Sequence, residues 1–261
     1  MPPRRQLLVL PFATLVAGCA TRFSGDGSPE QAPRLQVQNA SLHPGNGGVS
    51  VGADALRPGD IVLSSAPGMS SLGIRMVTLS PVSHACLFIG QQEVAEAVTQ
   101  GIQRRSIQRL LKEESTVVAF RHPGVRDEHV ERMQAFVAST LGQQYNYMGV
   151  MLQAPFSVDR RLCELPLTPA LMRDVCFQGV GAVHLGLGRN DRFFCSQFVL
   201  EAYRRAGLPL TDADPRLLNP ADLMHMREGD VPSVRSHQAL QYVGHLKWQP
   251  TSQGAIDPRA S

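Results

Sequence analysis

Cys195 lies in an apolar segment that could carry nucleophilic chemistry. The segment reads Phe-Phe-Cys-Ser-Gln-Phe-Val, and it places the cysteine near the start of a helix predicted over Asn190 to Ala206. The positive end of a helix stabilises a thiolate, which is the nucleophilic form of cysteine. A buried cysteine that packs as a small apolar side chain would give the same pattern, so this position alone leaves both interpretations open.

A histidine that could act on such a thiol lies at the mouth of an apolar strand. His84 opens a strand predicted to run to Ile89, and at a period of two residues it shares a face with Cys86 and Phe88. We expect that face to pack on the later helices of the chain. A histidine with a purely structural role is the alternative, because the chain contains eight histidines.

Glu96 is the predicted partner of His84. If Gly90 to Gln92 form a three-residue hairpin loop, Cys86 lies opposite Glu96 in the paired strands. His84 then becomes a diagonal neighbour of Glu96 on the same face, within reach of its side chain. A two-residue loop would turn Glu96 to the opposite face. A buried carboxylate needs a partner, and here it would orient the imidazole and stabilise the imidazolium, whereas a glutamate at a sheet edge would point into water.

The elements that position these residues are strands and hairpins first and helices later. Further short strands are predicted at Ile61–Leu63, Val94–Val98, Gly101–Ile107 and Thr116–Phe120. Further helices are predicted at Ser70–Leu79 and at Asp127–Leu141, the latter capped by Asp127. This order predicts an α+β fold with a mostly antiparallel sheet packed on helices.

The composition is that of a globular protein outside the nucleic-acid-binding class. Hydrophobic residues make up 43% and charged residues 18% of the 261 residues, which is enough for a packed core. The net charge is only +3, and Arg4 and Arg5 supply part of it at the N-terminus. A body so close to neutrality argues against a nucleic-acid partner.

The N-terminus has the anatomy of a secretory signal. Arg4 and Arg5 precede an apolar run, Leu7 to Gly18, which is too short to span a bilayer and which ends at Cys19. The final Val-Ala-Gly-Cys resembles the bacterial lipobox, in which cleavage before the cysteine leaves it as a lipid-bearing N-terminus. An ordinary signal peptide with a chance cysteine is the alternative.

The sequence therefore predicts four segments. They are a lipoprotein signal peptide at residues 1–18, a lipid-anchored flexible tether at residues 19–54, the folded domain at residues 55–248, and a disordered tail at residues 249–261. The membrane becomes a partner through the lipid on Cys19. The predicted location is the bacterial cell envelope, at the outer membrane and facing the periplasm.

Five short motifs follow one another along the chain in a specific order. They are Ser83-His84 to Gly90, Glu96-Ala97-Val98, Gly142 to Tyr145, Phe194 to Val199, and Asn219-Pro220-Ala221-Asp222-Leu223. The series resembles the circularly permuted papain-like hydrolases of the YaeF/YiiX type, relatives of the NlpC-type cell-wall peptidases and of the lecithin retinol acyltransferase fold. The histidine precedes the cysteine, as this permuted branch requires.

This resemblance implies a permuted papain-like fold and a catalytic triad. Cys195 is then the nucleophile, His84 the general base and acid, and Glu96 the third member. The thiolate would attack an amide or ester carbonyl, and the backbone N–H of Cys195 would meet the oxyanion. Tyr145 is a candidate second donor to the oxyanion, and an aromatic core residue is the equally good alternative for it.

The remaining cysteines do not predict a metal site. The spacing of Cys163, Cys176, His184 and Cys195 lacks the close ligand pairs of structural zinc sites, so no metal and no cofactor is predicted. Cys163 and Cys176 are close in sequence and outside the proposed site. A disulfide between them and two buried free thiols are both open.

These observations predict an envelope lipoprotein that acts as a thiol hydrolase on amide or ester bonds through an acyl-enzyme. Two alternatives stay open: a non-catalytic lipoprotein that binds lipid or peptidoglycan, and an acyltransferase that uses the same cysteine. A thiol at a helix start that faces a histidine and a glutamate argues against the pure binding module. Nothing in the sequence separates hydrolysis from acyl transfer.

Overall fold

The structure is a computed structural model, and it describes residues 21–24, 34–37, 48–67, 71, 80–144, 175–176, 193–227 and 234–248. Several predictions concern residues outside these ranges. They are the signal peptide with Cys19, most of the helix at residues 70–79, the positions of Tyr145 and Cys163, and the tail at residues 249–261.

The described part of the chain contains eight strands and four α-helices. The strands are β1 (Thr21–Ser24), β2 (Arg34–Val37), β3 (Ile61–Ser65), β4 (His84–Gly90), β5 (Glu93–Val98), β6 (Gly101–Ser106), β7 (Thr116–Arg121) and β8 (Gln241–Trp248). The helices are α1 (Ile107–Glu113), α2 (Asp127–Thr140), α3 (Cys195–Arg205) and α4 (Pro220–His225).

Six of these strands form one antiparallel sheet. Their order is β6-β5-β4-β3-β7-β8, and every neighbouring pair is antiparallel. The strands β1 and β2 form a separate hairpin. With its strands early and its longer helices late, the chain is an α+β fold with an antiparallel sheet, as the sequence predicts.

The turn between β4 and β5 differs from the prediction and still gives the predicted pairing. A two-residue turn, Gln91–Gln92, replaces the three-residue loop, and both residues have positive φ angles of 52° and 59°. The register then shifts at a bulge between Phe88 and Gly90. Because a bulge adds one residue to one strand, it restores the parity that the shorter turn would have lost. Cys86 therefore still lies opposite Glu96.

The packing of β4 corrects one expectation. The face that carries Cys86 and Phe88 was expected to meet the later helices, but it packs with Ile107 and Leu110 of α1. The opposite face of β4, which includes Leu87, packs in the cluster that contains α2 and α3. Because every interior position of β4 is buried, alternation along this strand carries no signal for which face meets which helix.

The two longer helices begin and end slightly differently from the prediction. Arg126 is the N-cap of α2, so Asp127 is its first residue rather than its cap. Leu141 lies beyond the helix and is 43% exposed, so it is not part of the buried stripe. The helix α3 begins at Cys195 itself, and Phe136 of α2 stacks on Phe198 of α3 with ring centroids 5.6 Å apart.

Part of the segment predicted as a tether lies against the sheet. The backbone N–H of Val51 donates to the carbonyl of His245 on β8 over 2.9 Å, and the N–H of His245 donates to the carbonyl of Val49 over 2.7 Å. The hairpin of β1 and β2 also falls within this segment. None of the helices in the described ranges has both the length and the apolar character needed to cross a bilayer.

Candidate active site

Cys195 is the first residue of α3. Its predecessor Phe194 is extended, with φ −102° and ψ 170°, and no side-chain hydrogen bond caps the helix there. The first N–H groups of a helix have no acceptor within it, so they are available to a negative charge next to Cys195. Cys195 is a free cysteine and is 7% exposed. The helix start thus combines a thiol with backbone donors.

The start of α3 is held in place by two sets of contacts. Phe193 packs edge-on against Phe136 of α2, with ring centroids 5.8 Å apart. The Ser196 hydroxyl donates to the carbonyl of Leu218 over 2.7 Å. Leu218 directly precedes Asn219, the N-cap of α4, so the loop before α4 is fixed to the residue after the thiol.

The motif Asn219 to Leu223 has a structural explanation. The side chain of Asn219 accepts from the backbone N–H of Asp222 over 3.2 Å, and the Asp222 carboxylate accepts from the backbone N–H of Asn219 over 2.8 Å. This is a capping box at the start of α4. The motif therefore secures a short helix that lies beside the thiol-bearing one.

The structure makes the predicted contact between His84 and Glu96. The distance between His84 Nε2 and Glu96 Oε2 is 2.8 Å. His84 is the first residue of β4, its side chain is 17% exposed, and that of Glu96 is fully buried. The Cys195 side chain lies close enough to His84 to raise the pKa of the ring. Since Nε2 is held by Glu96, Nδ1 is the ring nitrogen left for the thiol.

The carboxylate of Glu96 is surrounded by donors. Besides His84, Gln103 Nε2 donates to Oε1 over 2.9 Å and an Arg105 terminal nitrogen donates to Oε2 over 2.8 Å. Burial alone would raise the pKa of Glu96, but these interactions outweigh it and lower the pKa from 4.5 to about 2. A shift of this size corresponds to roughly 3 kcal/mol in favour of the ionised form. Glu96 is therefore a carboxylate at all physiological pH values.

His84 is stabilised in its protonated form. Burial opposes the charge on the ring, but hydrogen bonding, above all to the ionised Glu96 carboxylate 2.8 Å away, outweighs it and raises the pKa of His84 well above its ordinary value. An imidazolium between a carboxylate and a thiol is the arrangement that favours a thiolate–imidazolium pair. The geometry thus brings together the three residues predicted from the sequence.

A second thiol lies beside the same pair. Cys86 is a free cysteine, fully buried, with its sulfur 3.6 Å from Glu96 Oε2. Burial raises the pKa of the Cys86 thiol to about 11, and the charge of Glu96 adds to that effect against the opposing influence of His84. Cys86 is therefore a thiol at neutral pH and has little nucleophilic character.

Comparison with known proteins identifies the family. The chain is 39% identical over 198 residues to the "Probable lipoprotein peptidase YaeF" of Escherichia coli strain K12, and the match covers 75% of this chain and 72% of the relative. The chain belongs to the YaeF family. No family model matches it.

A comparison with solved structures gives a match of lower sequence identity than the YaeF relative. The metalloprotein yiiX from Escherichia coli O157:H7 is 16% identical, and the alignment covers 74% of this chain and 98% of that one with a TM-score of 0.43. At this level the likeness carries no argument about the site. The site of this YaeF-family chain is therefore interpreted from its own residues.

The residues of the site fit a metal ion poorly. His84, Cys86 and Glu96 each offer a donor atom, and these atoms lie within 4.8 Å of one another. However, Glu96 Oε2 already accepts from the guanidinium of Arg105, whose positive charge repels a cation. A cysteine that binds a metal must also lose its proton, and burial together with the charge of Glu96 opposes that loss at Cys86. No step of the chemistry below uses a metal.

Two residues that hold Glu96 escaped the sequence analysis. Gln103 lies directly opposite Glu96 on β6, and Arg105 follows at the next position on the same face. The signal was present, because the parity argument that paired β4 with β5 applies equally to the next hairpin. The register Val98 opposite Gly101 would have placed Gln103 beside Glu96.

Of the other predicted site residues, only Cys176 lies in the described part of the chain. Tyr145, Cys163 and Cys19 lie outside the described residues. Cys176 is disulfide-bonded. Its pairing with Cys163 stays a prediction, and so does the role of Tyr145.

Proposed function

We propose that this YaeF-family chain is a thiol hydrolase of amide or ester bonds in the bacterial envelope, with Cys195, His84 and Glu96 as its catalytic residues. The observation that carries the proposal is the position of the His84 ring, which lies 2.8 Å from the Glu96 carboxylate and close enough to the Cys195 thiol for that thiol to raise the pKa of the ring. The name of the YaeF relative, a probable lipoprotein peptidase, supports the same class of reaction.

The proposed reaction forms and then cleaves a thioester. The Cys195 thiolate attacks the carbonyl carbon, and the oxyanion is stabilised by the backbone N–H groups at the start of α3. The imidazolium of His84 gives its proton to the leaving amine or alcohol as the bond to the carbonyl breaks. His84 then takes a proton from water, the hydroxide attacks the acyl-enzyme, and the thiolate leaves as the acid is released.

Glu96 has two roles in this proposal. Its carboxylate fixes the orientation of the imidazole through the contact with Nε2, which leaves Nδ1 for proton transfer at the thiol. Its negative charge also stabilises the imidazolium during the reaction. Although Glu96 is fully buried, its contacts lower its pKa to about 2, so it keeps this charge over the whole range in which the site would work.

The fold proposed for the domain is the permuted papain-like one. Its support is the chain order, in which the histidine strand β4 precedes the cysteine helix α3 while both meet at one site. We further propose that residues 1–18 are a signal peptide, that Cys19 carries lipid, and that residues 19–54 connect it to a domain at residues 55–248 at the outer membrane, facing the periplasm. The YaeF relative, named a lipoprotein, supports the anchor.

The proposal is tested by trapping the acyl-enzyme. The full-length protein in detergent is incubated with an envelope extract, quenched with acid and examined by intact-protein mass spectrometry. We expect mass increments on the parent and on the Cys86→Ala control, and none on Cys195→Ala. Release of a free acid from the adduct indicates hydrolysis, whereas transfer to an amine or alcohol indicates an acyltransferase. Increments that persist in Cys195→Ala would contradict the proposal.

A further inference from the structure

Arg105 is a buried cation in contact with three acids. Its side chain is 9% exposed on β6, the edge strand of the sheet. Its guanidinium lies 2.8 Å from Glu96, 3.0 Å from Glu113 and 3.4 Å from Glu114. Because a buried charge is costly unless it is paired, a cation at this place requires an explanation. The proposed reaction as described above does not use it.

We propose that Arg105 is a positioning residue of the candidate active site: it holds the Glu96 carboxylate against His84 and sets the pH range over which the cysteine–histidine pair is charged. This inference rests on the proposed function. Arg105 touches neither the thiol nor the imidazole among the described contacts, so it acts through Glu96.

The geometry at one oxygen atom carries the inference. Glu96 Oε2 accepts both from His84 Nε2 and from Arg105, each over 2.8 Å. The two donors are therefore separated by no more than twice that distance. Gln103 holds the other oxygen over 2.9 Å, so the carboxylate cannot rotate without losing a contact. Arg105 thus fixes the position of Glu96 Oε2, which is the acceptor that orients the His84 ring.

The same closeness has an electrostatic consequence. The guanidinium stabilises the carboxylate, and it also repels the imidazolium that shares the same oxygen. A positive charge lowers the pKa of every group in its field. Removal of the charge of Arg105 should therefore raise the pKa of Glu96 and the pKa of His84 together, and it should move the pH profile of the site upward.

The remaining charged groups near Glu96 do not reverse the direction of the shift expected on removal of the Arg105 charge. Among the described residues, the titratable groups around the Glu96–Arg105 pair lie on three elements and one residue that follows α1. They are His84 and Cys86 on β4, Glu113 in α1, Glu114 directly after it, and Cys195 on α3. Glu113 is also paired with Arg109 over 2.8 Å. The two glutamates partly offset Arg105, so removal of one of them should act in the opposite direction.

The test uses the alkylation of Cys195 by iodoacetamide, measured as a rate against pH on the full-length protein, and it needs no knowledge of the substrate. Arg105→Gln should move the inflections of the profile to higher pH by about one unit, the size expected for one close charge. Arg105→Lys should move them less. Glu113→Gln, at a side chain 43% exposed, should move them slightly to lower pH.

Arg104→Gln is the matched control. Arg104 is the neighbouring arginine on the same strand, is 42% exposed and lies 3.9 Å from Glu93, so its removal should leave the profile unchanged. Arg105 also links β6 to the end of α1, and a purely structural clamp would lower thermal stability without moving the profile. A folded Arg105→Gln with the parental profile would overturn the inference. If that variant does not fold, unmoved profiles in Arg105→Lys and Glu113→Gln would do so.

This outcome is distinct from failure of the proposed function. If Cys195 in the parent reacts like an ordinary thiol and ignores His84, the proposed function itself is wrong. If the parent shows a reactive Cys195 that depends on His84, and only the charge of Arg105 has no influence, the inference about Arg105 alone is wrong.

Discussion

The two free thiols of the described chain, Cys86 and Cys195, interact with the same imidazole and differ in almost everything else. Cys86 is in the middle of a central strand, has no exposed surface and has a carboxylate 3.6 Å away. Cys195 is the first residue of a helix, keeps 7% of its surface exposed and stands beside uncapped backbone N–H groups. A cysteine beside a histidine is therefore not by itself a candidate nucleophile, because the backbone position and the exposure of the thiol also matter.

The proposed difference in reactivity between the two thiols rests on backbone placement. A strand position directs its N–H and C=O groups to neighbouring strands, so no backbone N–H is left to stabilise a thiolate. A helix start leaves its N–H groups free and supplies the positive end of a dipole. Glu96 separates the thiols further, because its charge raises the pKa of Cys86 while it supports the imidazolium that faces Cys195.

The largest effect on activity is expected from a change at Glu96. Glu96→Gln should lower turnover by roughly 10- to 10⁴-fold, the upper figure being that of a serine-protease triad, because the ring loses both its orientation and its counter-charge. The measurement is kcat for cleavage of an envelope substrate, together with the melting temperature of the variant and of the parent. An unchanged rate in a variant that melts like the parent would remove Glu96 from the mechanism.

The charge of Glu96 also predicts a pH dependence of stability. Its pKa is lowered from 4.5 to about 2 in the folded state, so its contribution is fully present above pH 4.5 and is lost as the pH falls towards 2. The free energy of unfolding of the parent, compared with that of Glu96→Gln, should therefore lose about 3 kcal/mol over this range.

Urea unfolding at several pH values measures this difference. Glu128→Gln serves as the control, because Glu128 also pairs with an arginine, Arg126, but is 49% exposed, where an ion pair contributes little. A difference between the parent and Glu96→Gln that stays constant from neutral to acid pH would contradict the lowered pKa of Glu96.

The smallest effect on activity is expected at Cys86. Cys86→Ala should leave turnover within about threefold of the parent, less than 1 kcal/mol in the barrier, because the thiol is neutral and fully buried. The loss of a buried sulfur should instead cost stability, about 1–2 kcal/mol in the free energy of unfolding. Loss of activity in a stable Cys86→Ala variant would erase the distinction between the two thiols.

Much of the site could be predicted because it depends on local patterns. Short stretches of sequence predict a helix that carries Cys195 near its start, the strand at His84 and the pairing of Cys86 with Glu96. The predicted helix began at Asn190, whereas the observed one begins at Cys195. The pairing held although the turn was predicted wrongly, since a bulge compensates for the shorter turn. Glu96 is fully buried, and a buried carboxylate needs partners, of which His84 is one beside Gln103 and Arg105.

What could not be predicted depends on the arrangement of whole layers. Helices cover both faces of β4, so its sequence contains no polar face from which to infer which helix meets Cys86. Arg105 follows Arg104 in the sequence, and the two look alike, but one is 9% exposed and the other 42%. Only the fold shows that Glu113, the last residue of α1, and Glu114 directly after it lie beside Arg105.

The central claim is that Cys195, and not Cys86, is a nucleophile activated by His84. The most direct test is the rate of iodoacetamide alkylation of each thiol at neutral pH, resolved by peptide mass spectrometry, in the parent and in His84→Ala. We expect Cys195 to react faster than an unperturbed cysteine, Cys86 to stay unmodified while the protein is folded, and His84→Ala to slow Cys195. A Cys195 that reacts no faster than an ordinary thiol, or at a rate indifferent to His84, would contradict the account.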